Sequence, residues 1–450
     1  MKIKKLAAFL IAGAMSATLA VGLTACDIDV VEDLTKIEAM QATIDDLQSQ
    51  LDKSNSDLNA LEDLAAKLEA LQQAFESGKD NLDSLKDQIS ELESQIETLK
   101  KGTTVADESY EKIKYIDANL SDRDCRWGEN FVDAQNWIID SALAAGYDES
   151  AVTTQEVTIS TTYVSYDVNL DEKYPAVKSH ETDGKLYTKS GRNYVEDEEG
   201  TYVKVSLVSE NVVITKPGKS EKQIIVGAHF DGDGTGDNGS GIALALTTAE
   251  KFVDVETPYT IKFVFFTAEE IGCIGSTAYA NAMTAEEVEN TLYMINLDSL
   301  VCGDYCYIYG GAQNNAEKTV TQTEAFDNAF AIAKSLGLDI HSNPWTWENP
   351  APGYDTPDYA SPSTGNWSDH KGFKNRGIKY LYMEATNWEI PGPYNEYDGY
   401  GETVLVGMLM NTENDYLEFI EHYFPGRIQE HLFQFSSLLH ALLVQPKVNF

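Results

Sequence analysis

The stretch GAHFDGDGTGDNGSG at residues 227–241 sets His229, Asp231 and Asp237 among glycines directly after an apolar run. Carboxylates packed this closely repel one another unless a cation sits between them, so the stretch reads as a metal-binding turn at the end of a buried strand. Acidic residues follow later apolar runs in the same way, Glu269 and Glu270 in TAEE and Asp298 in NLDS. One loop with carboxylates is ordinarily a solvated turn. Repetition at successive strand ends points instead to ligands that converge. Histidine and carboxylate donors without thiolates suit a catalytic zinc or a related divalent ion. Adjacent residues point in different directions, so one of Glu269 and Glu270 can bind metal while the other reaches an attacking water. Asp231 is placed to accept a hydrogen bond from the His229 imidazole and hold the ligating tautomer.

Strands must carry these groups, and the apolar runs supply them. QIIVGAHF, YTIKFVFFTA, LYMINLDSL, YCYIYGG and IKYLYMEA are rich in β-branched and aromatic residues, several of them apolar throughout and therefore buried on both faces. Between them lie the helical patterns GSGIALALTTAEKFV and TQTEAFDNAFAIAKSLG, and a long final helix is expected near 414–443. This alternation predicts an α/β fold with a mixed, largely parallel central sheet flanked by helices. Residues 161–205 read as an edge insertion of extra strands or hairpins. In such sheets the loops leaving the carboxyl ends of strands form the active crevice, where the acidic clusters fall.

The motifs GAHFD, GDNGSG, TAEEIGCIGS, NLDS and SDHKGF occur in that order within roughly 205–445. They resemble metallopeptidase family 28, the co-catalytic zinc aminopeptidases that also include glutamate carboxypeptidase and glutaminyl cyclase. The resemblance implies a zinc exopeptidase-like sandwich holding two zinc ions. Carried over position by position, it implies that Asp237 bridges the ions, that His229 and Asp298 complete one site, and that Glu270 belongs to the other. Glu269 would be the general base, and a cis peptide is implied after Asp237. One departure falls in MLMNTENDYLEFI, where Asn411 stands in place of the family's last histidine ligand. An amide oxygen is a weaker ligand than imidazole, so the second ion is expected to be weakly held or missing. His370 and His341 are expected to be structural or substrate-facing, His422, His431 and His440 to lie on the terminal helix, and His180 to lie in the edge insertion. Trp345, Trp347 and Trp388 suit a pocket wall, the core or its rim.

With 450 residues and 42% hydrophobic content, the chain can bury a large core. A formal net charge of −40 excludes nucleic acid and anionic lipid as partners of the protein surface and favours cations. The N-terminus combines the basic MKIKK, the apolar LAAFLIAGAMSATLAVG and LTAC, which resembles the lipobox of bacterial lipoproteins. Residues 1–25 are therefore expected to be a signal peptide. Lipid-modified Cys26 would hold the protein to the outer face of the cell membrane, outside the cytoplasm. Residues 26–101 follow as a coiled-coil stalk, with Ile37, Met40, Ile44, Leu47 and Leu51, and later Leu85, Ile89, Leu92, Ile96 and Leu99, stepping by threes and fours. Self-association through this stalk is open, as is the pairing of Cys125, Cys273, Cys302 and Cys306. The catalytic domain is placed at 102–450. The expected function is that of a lipid-anchored zinc exopeptidase, an aminopeptidase foremost, cleaving peptide substrates by metal-activated water. The alternatives are a peptide-binding scaffold impaired by Asn411 and a one-metal, glutaminyl cyclase-like acyltransferase.

Overall fold

The computed structural model describes residues 82–126, 128–165, 180–182, 185–187, 193–196, 202–352, 354–390 and 401–444. The expected signal peptide, Cys26 and the stalk as far as residue 81 lie outside the described residues. The chain is first described on helix α1, Leu82–Asn119, and continues through α2, Phe131–Ala145. Strand β1, Val152–Ser165, is followed by the short β2, His180–Thr182, β3, Lys185–Tyr187, and β4, Asn193–Glu196, and then by the long β5, Tyr202–Lys216. The centre is built by β6, Gln223–His229, α3, Gly239–Phe252, β7, Thr260–Phe266, α4, Ile274–Ala282, α5, Ala285–Asn290, and β8, Thr291–Leu297. Next come β9, Tyr305–Tyr309, the hairpin of β10, Ala312–Asn314, and β11, Thr319–Thr321, then α6, Glu324–Leu336, and β12, Ile340–His341. The last elements are α7, His370–Asn375, β13, Tyr380–Thr386, α8, Leu417–Tyr423, and α9, Arg427–Val444.

The main sheet runs β12-β9-β13-β8-β6-β7-β5-β4-β3-β2, with β1 also paired to β5. Its centre, from β13 through β8 and β6 to β7, is parallel, whereas β9 beside β13 and β5 beside β7 are antiparallel. The expected mixed sheet is therefore present, with helices on both faces. Strands β6, β8 and β13 are buried along their whole length, which explains their unbroken apolar sequences. Ile225, Val264, Phe266 and Met294 pack with Tyr279 of α4 and Phe373 of α7. The alternate residues Ile224, Val226, Phe263 and Phe265 face the other side, which α3 covers. Each such buried side chain contributes about 1.5–3 kcal/mol.

Two features differ from the sequence pattern. The single terminal helix expected near 414–443 is two helices, α8 and α9, because Pro425 interrupts the hydrogen-bond ladder and Gly426 turns at φ 89°. The edge strands begin before residue 161 and extend past 205, since β1 and β5 form one long antiparallel arm from Val152 to Lys216. The four cysteines at 125, 273, 302 and 306 are all buried, and none of them forms a disulfide with another described residue. The stalk–body boundary expected at 101/102 falls inside α1. Leu92, Ile96, Leu99, Val105, Ile113 and Ile116 of that helix are buried, and it packs on α9 and α3. Gly102 permits the closest approach, for its carbonyl accepts from Ser436 Oγ at 2.8 Å and a Cβ there would lie 2.1 Å from Ser437 Oγ.

Candidate metal centre

The carboxyl ends of β6, β7 and β8 open onto one crevice, and the strand register puts their polar residues there together. His229 is the last residue of β6, Glu269 and Glu270 follow β7, and Asp298 follows β8. His229 Nε2 lies 3.2 Å from Asp237 Oδ1, 3.3 Å from Asp298 Oδ1 and 4.0 Å from Glu269 Oε2. Ligand atoms of His229, Asp237 and Glu270 all fall within 4.8 Å of one another. Asp237 Oδ1 is buried with no hydrogen-bond donor besides the His229 imidazole, the state expected of an oxygen reserved for a cation. One imidazole nitrogen and several carboxylate oxygens form a donor set that fits zinc.

Separate backbone devices hold this crowding in place. The Asp237–Asn238 peptide is cis. Asn238 caps α3, accepting from Gly241 N–H at 3.0 Å and Ser299 N–H at 3.2 Å and donating to Leu297 O at 2.9 Å. It thus joins the ends of β6 and β8. Buried Asp415 accepts from Gly236 N–H at 2.6 Å and Asp237 N–H at 2.9 Å, fixing the ligand loop from below. A Cβ on Gly236 would meet Cys302 Sγ at 2.2 Å, and one on Gly232, at φ 97°, would meet Glu270 Oε1 at 2.6 Å. Glycine there lets the loop approach both neighbours closely.

Asp231 acts differently from the expectation. His229 Nδ1 faces the Asp231 backbone carbonyl at 3.2 Å, while the Asp231 carboxylate is 3.8 Å away and accepts instead from Glu269 N–H at 3.0 Å. The carbonyl sets the imidazole tautomer, and the carboxylate holds the backbone of Glu269. Glu269 Oε1 also accepts from Cys273 Sγ at 3.3 Å, and Asp298 Oδ2 accepts from Ser368 Oγ at 2.5 Å. Exposed Asn411, at φ 57°, lies beside the site, where its Nδ2, not the amide oxygen, faces the cluster and donates to Asp237 Oδ2 at 3.3 Å. His370 is sandwiched between Tyr380 and Tyr382 and donates from Nε2 to Gly365 O at 2.8 Å. His341 lies beside Asp339, His422 is exposed, His431 is buried on α9, and His440 packs edge-on against Phe252. None of these replaces the missing ligand. Trp388 is core, its Nε1 donating to Tyr309 hydroxyl at 2.8 Å.

The electrostatics follow from burial among like charges. Desolvation pushes the Asp237 carboxyl up, and the charge of Asp298 adds to it. Desolvation likewise raises Glu269 well above the carboxylate range and Glu270, though exposed as a residue, to about 9. For His229 burial alone would lower the value, but Asp298, Glu269 and the contact with Asp237 outweigh it and hold the imidazole well above the ordinary range. The same pairing holds Asp298 low against its own burial.

Residues 211–401 match the family described as peptidase family M28. The alkaline phosphatase isozyme conversion protein of Escherichia coli K12 is 29% identical over 249 residues, 50% of this chain and 67% of that protein. A probable lipoprotein aminopeptidase of Mycobacterium tuberculosis, LpqL, is 33% identical over 156 residues. That match spans 32% of this chain and only 30% of LpqL. A zinc aminopeptidase structure from Bacillus subtilis superposes with a TM-score of 0.47 at 15% identity, covering 76% of this chain and 96% of that one.

The raised His229 value fixes a pH dependence. A proton held there stabilises the metal-free protein fully below the ordinary histidine range, and that contribution is lost as pH rises through the raised value. Zinc must displace the same proton, so its affinity rises with pH. Zinc is expected to raise the unfolding temperature, more at about pH 8 than at about pH 6, and to have no such effect on Asp237→Ala. Thermal unfolding with and without chelator measures this; equal shifts in both proteins would remove Asp237 from the ligand set.

Proposed function

We propose, from the match of residues 211–401 to peptidase family M28, that the protein is a zinc-dependent exopeptidase, an aminopeptidase foremost, anchored by lipid at Cys26 outside the cytoplasm. The observation that carries the reading is the convergence of His229, Asp237 and Glu270 within 4.8 Å, with Glu269 Oε2 4.0 Å from the imidazole. His229, Asp237, Glu270 and Asp298 would hold the metal, which when bound supplies polarisation of the scissile carbonyl and acidification of water. Glu269 takes the proton from the attacking water and returns it to the leaving amine. Its reach is set by the Asp231 carboxylate on its backbone N–H and by Cys273 on Oε1, which leaves Oε2 toward the ligands.

The aminopeptidase preference draws support from relatives that bear that name, and the anchor from the basic, apolar and LTAC segments that end at Cys26. Asn411 favours one variant of this reading, a single tightly held ion. Its amide donates to Asp237 Oδ2 and offers no imidazole nitrogen. A scaffold role has less support, since a binder has no need of a positioned base beside its ligands.

Glu269→Gln is expected to lower hydrolysis of aminoacyl and short peptide substrates by about 10²–10⁴-fold while zinc content stays at the wild-type level. Unchanged turnover would take Glu269 out of the mechanism. Asn411→His is expected to raise metal content after purification, and no gain in metal or activity would show that this position does not face a second ion. Cys26→Ser should release the protein from the membrane fraction; continued membrane association would exclude the lipid anchor.

A further inference from the structure

The turn after α1 lies outside the segment matched to the family, yet it reaches the ligand loop. Arg123 on this turn is 1% exposed. Its Nε donates to Phe230 O at 3.2 Å, its Nη2 to Gly234 O at 2.9 Å and its Nη1 to Leu120 O at 2.6 Å. Phe230 directly follows the ligand His229. The Gly234 carbonyl also accepts from Gly239 N–H at 3.2 Å, and Gly234 forms a bridge with Asn238, the neighbour of Asp237. One guanidinium thus grips both shoulders of the loop that separates the two ligands. Its charge acts on Asp233, Asp415, Asp231 and Asp237.

A second contact from the same helix end acts on the same loop. Asp117 accepts from Thr235 Oγ1 and, at 2.9 Å, from Leu417 N–H. Thr235 N–H in turn donates to Asp415 O at 3.0 Å, and Asp415 holds the backbone of Gly236 and Asp237. Lysine could replace the charge of Arg123 but not its fork of directed donors.

We infer that the end of α1, through Arg123 and Asp117, is a positioning clamp that presets the spacing of His229 and Asp237, so that zinc meets ligands already in place. The inference rests on the metallopeptidase reading. Arg123 and Asp117 touch neither substrate nor metal in this role; they act through the loop backbone.

The test compares full-length wild type, Arg123→Lys and Thr235→Val, the last removing only the hydroxyl contact to Asp117. Zinc affinity is measured by chelator competition, kcat and KM at saturating zinc, and urea unfolding in chelator. The expected result for Arg123→Lys is a folded protein with zinc affinity about 10–100-fold weaker and kcat reduced more than KM changes. Thr235→Val should shift both in the same direction, and it carries the test if the lysine variant fails to fold. Variants whose zinc affinity and kcat stay within about twofold of wild type, whatever their urea midpoints, would overturn the clamp and leave Arg123 as a core cation. A wild-type protein that takes up no zinc would instead overturn the metallopeptidase reading, and the clamp's purpose with it.

Discussion

Negative charge crowded out of water is the constraint on which this structure depends. Asp231, Asp237, Glu269 and Asp298 are all buried around the fully buried His229. Two like charges about 4 Å apart repel by roughly 4 kcal/mol at an effective dielectric of 20, a large fraction of the ~5–15 kcal/mol that separates folded from unfolded protein. Such a cluster cannot be left to side-chain preferences. It is held by hydrogen bonds to the backbone: Asp415 on the amides of Gly236 and Asp237, Asn238 across the ends of β6 and β8, and Asp231 on the amide of Glu269. The parallel centre of the sheet makes this possible, because it brings the carboxyl ends of β6, β7 and β8 to one side.

Most of this was legible from local pattern. The apolar runs of β6, β8 and β13 read as buried strands because both their faces are covered, and the polar residues that end β6 and follow β7 and β8 had to emerge on a common edge. Asn411 was identified by its place in a motif, and it does lie beside Asp237. The terminal helices misled because periodicity continues across Pro425 and Gly426 even though the hydrogen-bond ladder does not. The heptad steps of Leu92, Ile96 and Leu99 continue into the body of the protein, since a helix stripe that suits a coiled-coil partner suits α9 equally well.

What stayed hidden is the support beneath the ligands. Arg123 and Asp117 lie over 100 positions from the loop they touch, and Asp415 about 180. None has a local signal, because their partners, the carbonyls of Phe230 and Gly234, the hydroxyl of Thr235 and the amides of Gly236 and Asp237, come within reach only in the folded loop. Cys273 shows the same limit. Its spacing from Glu269 is visible, but only the left-handed backbone at Cys273, φ 57°, shows how its thiol comes to the carboxylate. The role of Asp231 was legible in kind but not in atom: its carbonyl, not its carboxylate, faces the imidazole.

Charge balance and ligand chemistry pull the centre in opposite directions. Asp237, Glu269, Glu270 and Asp298 all bear on it, and burial pushes the carboxyls of Asp237, Glu269 and Glu270 up while the contact with His229 holds Asp298 low. Asn411 brings a neutral amide to this group, donating to Asp237 Oδ2. Glu270 is the exposed member of the group, and its carboxyl is pushed up to about 9 by desolvation and by Asp237. Solvent reaches Glu270, whereas His229, Asp237 and Asp298 are buried and are held by the backbone contacts of the strand ends and the loop between them.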